Sequence, residues 1–281
     1  MYDFSFHRPT TVDEAVKYLR SSEDAKLLAG GMTLLPTMKL RLAAPKHVID
    51  LGAVTGLGGI EHKGGSLVLD KAGGGTVLRG GTLSIGALAR HAEVADSSEV
   101  KQAIPALAKL AEGIGDAAVR NRGTIGGSVA NNDPAADYPA ACLALNATIV
   151  TNKREISADQ FFTGLFETAL GADEMILRVV FPAPARAAYA KFRNPASRYA
   201  IVGVFVADHG GEVRVAVTGA GQSGVFRLPA MEQRLTDKFD AESIRGVKVD
   251  ASDLVSDIHA AADYRAHLIG VMARRAVQAA G

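Results

Sequence analysis

Apolar residues recur along the chain in two rhythms. Near the start, Val12, Ala15, Val16 and Leu19 fall at helical spacing. They follow Thr11-Val12-Asp13-Glu14, a capping box in which Thr11 caps and Glu14 reaches back. Residues 26–29 form a short buried strand that ends at Gly30-Gly31. Behind that turn Leu34, Leu35, Met38 and Leu42 trace a second amphipathic helix, with Pro36 tolerated in its first turn. Residues 47–51 read as another strand. Residues 56–87 are glycine-rich, with strand-like segments at 66–69, after a hairpin turn at Gly64-Gly65, and at 82–85. A short helix over 87–94 follows. Ile104, Leu107, Ala108 and Ala111 line the next helix. A polar loop at 131–137 leads to a helix over 138–145 and a strand over 147–151. Residues 175–181 predict a strand stopped by Pro182-Ala183-Pro184. Strands at 189–193, 200–207 and 212–218 come next, the last two joined at Gly210-Gly211. A C-terminal helix over 260–279 places Leu268, Val271 and Met272 on neighbouring turns. The order changes from α/β to an antiparallel sheet followed by helices, which sets a domain boundary at about residue 175.

Composition narrows the chemistry. The 281 residues allow two or three domains. A hydrophobic content of 48 % with 22 % charged residues is that of an ordinary globular chain. The net charge of +1 argues against a nucleic-acid partner or an anionic membrane surface. No apolar run is long enough to span a bilayer. The N-terminus has no basic stretch followed by an apolar one, so no signal peptide is expected and a cytoplasmic location fits. The single cysteine, Cys142, leaves no intrachain disulfide and argues against a cysteine-ligated zinc or iron–sulfur site in this chain. It reads as a small buried hydrophobe. The seven histidines are scattered, with no paired metal-binding spacing. Any redox chemistry must come from an organic cofactor or a partner chain.

Several motifs carry little. Gly219-Ala220-Gly221-Gln222-Ser223-Gly224 has dinucleotide-loop spacing, but Pro229 falls where the following helix should run, so it reads as a glycine-rich loop. No Walker loop or nucleophile elbow is present. Asp133 and Asp137 read as caps of the helix at 138, or as acceptors for a ligand's hydroxyls. Two glycine-paired turns carry more. The first is Leu27-Leu28-Ala29-Gly30-Gly31-Met32-Thr33. The second is Arg120-Asn121-Arg122-Gly123-Thr124-Ile125-Gly126-Gly127-Ser128. Either alone reads as a tight turn with no ligand. Together they suggest two halves of one anion cradle sized for a diphosphate, because paired glycines let backbone amides approach a ligand. A side chain at Gly126 is expected to project into the diphosphate path.

Over nearly its whole length the chain resembles the medium FAD-binding subunit of molybdenum hydroxylases, the aerobic carbon monoxide dehydrogenase and xanthine dehydrogenase group. The resemblance lies in the opening Phe4 to Val16, in the two turns, in Asn131-Asn132-Asp133-Pro134-Ala135-Ala136-Asp137-Tyr138-Pro139, in Glu174 to Pro182 and in Lys191-Phe192-Arg193. It implies an α+β fold: a two-subdomain α/β FAD-binding domain of the PCMH, vanillyl-alcohol-oxidase-like type at 1–175, with subdomains at about 1–55 and 56–175. A smaller α+β domain of the carbon monoxide dehydrogenase type, with an antiparallel sheet and helices, would follow at 176–281. By resemblance, Ala29, Gly30, Gly31, Met32 and Thr33 hold one side of the FAD diphosphate, and Thr124, Ile125, Gly126, Gly127 and Ser128 the other. Asp137 bonds FAD hydroxyls. Ile114 and Ile176 lie near the flavin, and Lys191 or Arg193 faces its N1–C2=O edge, where a cation stabilises the reduced form.

No catalytic base or metal ligand is expected in this chain. The implied partners are a large molybdopterin subunit and a small subunit with two [2Fe–2S] clusters, in a dimer of heterotrimers that delivers electrons to an acceptor such as NAD or a quinone. Two other readings stay open: a self-sufficient FAD-dependent oxidoreductase, and a non-catalytic nucleotide-binding assembly module. The sequence departs from the family between about 61 and 81, where the usual short hairpin is extended and contains Gly73-Gly74-Gly75, and again at Asn131-Asn132.

Overall fold

In the computed structural model, which describes residues 1–69 and 76–281, the chain opens with β1 (Ser5–His7), α1 (Val12–Ser21), β2 (Ala25–Leu28), α2 (Leu34–Lys39) and β3 (His47–Asp50). The three strands form a parallel sheet in the order β1-β3-β2. Helix α1 buries Ala15 and Val16 against Ile49, Leu51, Val54 and Leu57. Thr11 caps it by accepting from the Glu14 amide at 3.2 Å. The Glu14 carboxylate reaches one residue further back than a capping box requires, to the Thr10 amide at 2.8 Å.

β4 (Ile60–Lys63), β5 (Ser66–Leu69), β6 (Thr76–Arg79) and β7 (Thr82–Gly86) follow. β4 pairs antiparallel with β7, and β5 with β6. Gly64-Gly65 is therefore not the tip of a hairpin. It lies opposite Gly80-Gly81 midway along one long hairpin, where a Cβ on Gly81 would stand 2.5 Å from the Lys63 carbonyl oxygen. Gly73-Gly74-Gly75 lies outside the described residues.

Helices α3 (His91–Asp96), α4 (Ser98–Ala103), α5 (Pro105–Glu112), α6 (Ala117–Arg120), α7 (Ile125–Asn131) and α8 (Tyr138–Ala144) come next. Then come β8 (Thr148–Thr151), β9 (Glu155–Ser157), α9 (Ala158–Phe161), the small hairpin of β10 (Phe162–Gly164) and β11 (Glu167–Thr168), and β12 (Ile176–Pro182). β12 sits at the centre of an antiparallel sheet ordered β4-β7-β12-β8-β9. A boundary at 175 would cut this sheet from its middle strand. The composition shift near 175 marks a loop, whereas strand pairing carries the same unit on through Pro182.

The remainder forms β13 (Arg186–Arg193), β14 (Ala200–Asp208), β15 (Val213–Thr218), β16 (Phe226–Arg227), α10 (Pro229–Asp237) and α11 (Ala262–Ala280). The four strands form an antiparallel sheet. Every residue of β14 and β15 is buried, because the two faces serve different cores. Phe205, Ala207 and Ala216 join the core of the preceding unit. Val202, Val204, Val206, Val215 and Val217 pack with Leu268, Ile269 and Met272 of α11. Pro229, which argued against a helix, instead starts α10, where its missing amide costs nothing. Among the described residues no helix is long and apolar enough to cross a membrane.

Candidate functional site

The two glycine turns meet at a cavity of about 710 Å³, inside the roughly 300–1,000 Å³ usual for small-molecule sites. Ala29, Gly30, Gly31, Met32 and Thr33 link β2 to α2 and form one wall. Gly31 adopts φ +74°, a left-handed value that glycine takes without strain. Gly30 packs directly on the second turn: a Cβ there would stand 2.0 Å from the Arg122 carbonyl oxygen. The amides of Gly30, Gly31, Met32 and Thr33 donate to no acceptor among the described residues. A row of unspent amides on a cavity wall suits an anion.

The second turn is built differently. Thr124, Gly126, Gly127 and Ser128 line the cavity, but Ile125 is fully buried in the core and does not. Apart from Thr124 N–H, its amides are spent within the protein. Ile125 N–H donates to Ala89 O at 3.0 Å, Gly126 N–H to Ala87 O at 2.9 Å, and Gly127 N–H to Thr124 Oγ1 at 3.1 Å. What this turn offers a ligand is hydroxyl protons, on Thr124 and Ser128, and close approach at Gly127. Gly126 does not leave its open side toward the cavity. A Cβ there would lie 2.5 Å from the Ala87 side chain, so the expectation of a blocked diphosphate path moves to Gly127, whose Cβ would stand 3.0 Å from the Thr124 hydroxyl and 3.8 Å from the Ala29 Cβ.

Asp137 also lines the cavity, deeply buried at the start of α8. It occupies the N-cap position of that helix, but its side chain makes no capping bond. Its Oδ1 accepts from the Tyr189 hydroxyl at 2.5 Å, and its Oδ2 from Lys191 Nζ at 2.9 Å. Burial pushes the Asp137 carboxyl above the usual carboxylate range, and Lys191 and Tyr189 pull it back down. Asp133 is likewise pushed up by burial. Lys191 is held again by the Gly113 carbonyl at 3.2 Å, beside Ile114, which projects at the cavity with Ile176. Strand alternation would put Arg193 on the same face as Lys191. Neither residue lines the cavity itself, but Lys191 reaches Asp137, which does, whereas Arg193, beyond a register irregularity that leaves an extra residue on β14, is exposed.

Sequence reasoning missed several wall residues. His91 is buried there, its pKa lowered to about 4 by burial and by the charge of Arg120. Arg120 does not face the cavity as an anion ligand; its Nη1 is bound to the carbonyls of Ile114 and Gly115, both at 3.1 Å. Phe166, Arg198 and Tyr199 complete the rim. Tyr189 was also missed, although it lies two residues before Lys191 and therefore on the same strand face. Among the described residues no group of three His, Cys, Asp or Glu side chains could hold a metal ion.

Residues 2–73 and 75–184 match the family model described as the FAD binding domain in molybdopterin dehydrogenase. The chain is 35 % identical over 289 residues to the nicotine 6-hydroxylase medium subunit of Paenarthrobacter nicotinovorans, covering 97 % of this chain and 95 % of that one. It is 33 % identical over 294 residues to the carbon monoxide dehydrogenase medium chain of Hydrogenophaga pseudoflava, covering 99 % and 96 %. A solved structure of carbon monoxide dehydrogenase from Hydrogenophaga pseudoflava, lacking the Mo-pyranopterin moiety, superposes with a TM-score of 0.86 at 34 % identity, covering 99 % of this chain and 97 % of the other.

Proposed function

Because this chain belongs to the family of FAD-binding domains in molybdopterin dehydrogenases, we propose that the cavity between its glycine turns holds FAD with the diphosphate against Gly30 to Thr33. The protein is an oxidoreductase subunit, the FAD-carrying medium subunit of a molybdenum hydroxylase. Large and small partner subunits are implied, and the molybdenum and iron–sulfur centres belong to them. The observation that carries the placement is the run of unspent amides at Gly30, Gly31, Met32 and Thr33 beside the hydroxyls of Thr124 and Ser128. Backbone N–H groups and hydroxyls are the donors a diphosphate needs, and no side chain at Gly30 or Gly127 obstructs it.

When bound, FAD supplies electron carriage from partner [2Fe–2S] clusters to an external acceptor such as NAD or a quinone. This chain's residues bind and orient. Thr124 can accept from Gly127 and still donate its own proton to a phosphate oxygen. Asp137 offers acceptors to ribityl or ribose hydroxyls. Ile114 and Ile176 give the ring an apolar wall. Lys191, rather than Arg193, supplies the positive charge near the ring's carbonyl edge, since its ammonium is the one fixed beside the cavity. Residues 1–182 form the FAD-holding unit, and 183–281 cover one side through Tyr189 and Lys191. The complex is a dimer of heterotrimers in the cytoplasm; the buried Cys142 thiol needs no oxidising compartment.

The test is the colour and content of the purified full-length chain. A flavin visible spectrum, and FAD in the released fraction, are expected. Protein that is colourless and takes up no added FAD would overturn the reading.

A further inference from the structure

Asp137 is enclosed at the cavity wall, and both of its protein donors come from β13. Those donors differ in what else holds them. Lys191 is anchored a second time, by the Gly113 carbonyl at 3.2 Å. The Tyr189 hydroxyl has one partner among the described residues, Asp137. Its ring is fixed by stacking on Phe205, with centroids 6.0 Å apart. Room for the hydroxyl is made by Gly203, the register partner of Lys191 on fully buried β14. A Cβ on Gly203 would stand 2.2 Å from the Tyr189 oxygen. Glycine inside a buried strand weakens it. Here the missing side chain lets the Tyr189–Asp137 bond form.

We infer that Tyr189 is a positioning residue for the cofactor: it holds the Asp137 carboxylate oriented so that its remaining lone pairs meet a hydroxyl of bound FAD. The inference rests on the FAD reading above. Each carboxylate oxygen has two acceptor sites, and the protein takes one on each. A buried carboxylate that loses a donor drifts toward the neutral acid. The titratable groups around Asp137 are Tyr189 and Lys191 on β13, Tyr138 on α8, Tyr199 beyond β13, and Asp133 in the preceding loop. Lys191 is the one cation in that set. Without Tyr189 it is the sole donor keeping Asp137 charged.

The experiment strips flavin from the full-length chain, in the assembly it forms, and titrates it with FAD at a series of falling pH values from about pH 8. Tyr189→Phe keeps the ring and removes the donor. It is expected to bind FAD about tenfold more weakly at the upper pH, with the deficit growing as pH falls and Asp137 gains a proton. Gly203→Ala keeps Tyr189 but crowds its hydroxyl most closely, at 2.2 Å, and the Thr218 methyl at 2.9 Å, and should give the same pH-dependent deficit. This second variant also decides the matter if Tyr189→Phe does not fold. The double variant should lose less than the two single losses combined, because both act on one bond. Wild-type affinity in the variants, a deficit independent of pH, or additive losses would overturn the inference. If the unmodified protein takes up no FAD, the reading of the cavity fails, and that failure shows before any variant is made.

Discussion

The residues of this site divide by whether their polar groups are already spent. Gly30 to Thr33 keep free amides, whereas Ile125, Gly126 and Gly127 give theirs to the protein. A side chain at Gly127 should therefore interfere with the ligand more than with the fold. Gly127→Val is expected to lose bound FAD by at least tenfold in affinity while keeping its far-ultraviolet circular dichroism; full flavin content would place the diphosphate elsewhere. Asp137→Asn should weaken FAD by about 1–2 kcal/mol, measured by titration calorimetry, because an amide replaces a charged acceptor. His91 gives a pH prediction. Burial holds its pKa at about 4, below the ordinary 6.5, so the fold keeps it neutral while the unfolded chain takes up a proton. Stability from this group is intact above about pH 6.5 and falls as pH drops toward 4. Relative to His91→Gln, the wild type should lose about 2 kcal/mol between pH 7 and 5 in chemical denaturation. Equal pH dependence in the two proteins would contradict this.

At the scale of elements, the position of each glycine in its turn separates binding from stability. Gly126 faces Ala87 at the end of β7, so Gly126→Val should cost about 2–3 kcal/mol or more in unfolding free energy through overpacking. Glu174 plays a comparable structural part ahead of β12. Although burial pushes its carboxyl up, Arg154, the Gly171 amide and Thr151 outweigh that and hold it at about 2. Its contribution is present above about pH 4.5 and is lost as pH falls toward 2. Glu174→Gln should be less stable than wild type by about 2 kcal/mol at pH 7, with the gap narrowing below about pH 4.5 and closing only as pH approaches 2. Element by element, the sequence was legible where a stripe or run was long. α1, α5, β14, β15 and α11 lie where their patterns put them, within a few residues. It was not legible for α10, since Pro229 reads as ruling out a helix there; for β12 the strand itself was legible at 175–181, but its neighbours in the sheet were not. A strand's sheet membership depends on which chain lies beside it, and the local pattern of 175–181 holds no information about β7 and β8.

For the whole molecule, the medium-subunit assignment carries a stoichiometric consequence. Co-purification from the native source should bring two further chains, one with molybdopterin and one with two [2Fe–2S] clusters; a flavoprotein that purifies alone and turns over substrate would favour the self-sufficient alternative. The cavity itself is a property of this scale. Its walls come from the opening α/β unit, from the turn before α7 and, through Ser197, Arg198 and Tyr199, from the loop between β13 and β14. Thr218 of β15 reinforces the junction by donating to the Ala136 carbonyl at 2.6 Å, next to Asp137.

By itself, the sequence determined that two glycine-paired turns exist, that Asp137 and Lys191 bear the right charges, and that a resemblance to FAD subunits spans the chain. These are local facts, set by residue type and short spacing. The tertiary structure decided which of those groups are free to act. Hydrogen bonds to Ala89 and Ala87 consumed the amides of Ile125 and Gly126, Arg193 was left exposed while Lys191 met Asp137, and Gly203 made room for Tyr189 against Asp137. Each outcome depends on an atom from a distant part of the chain coming within a few ångströms, and no single window of sequence encodes such a meeting.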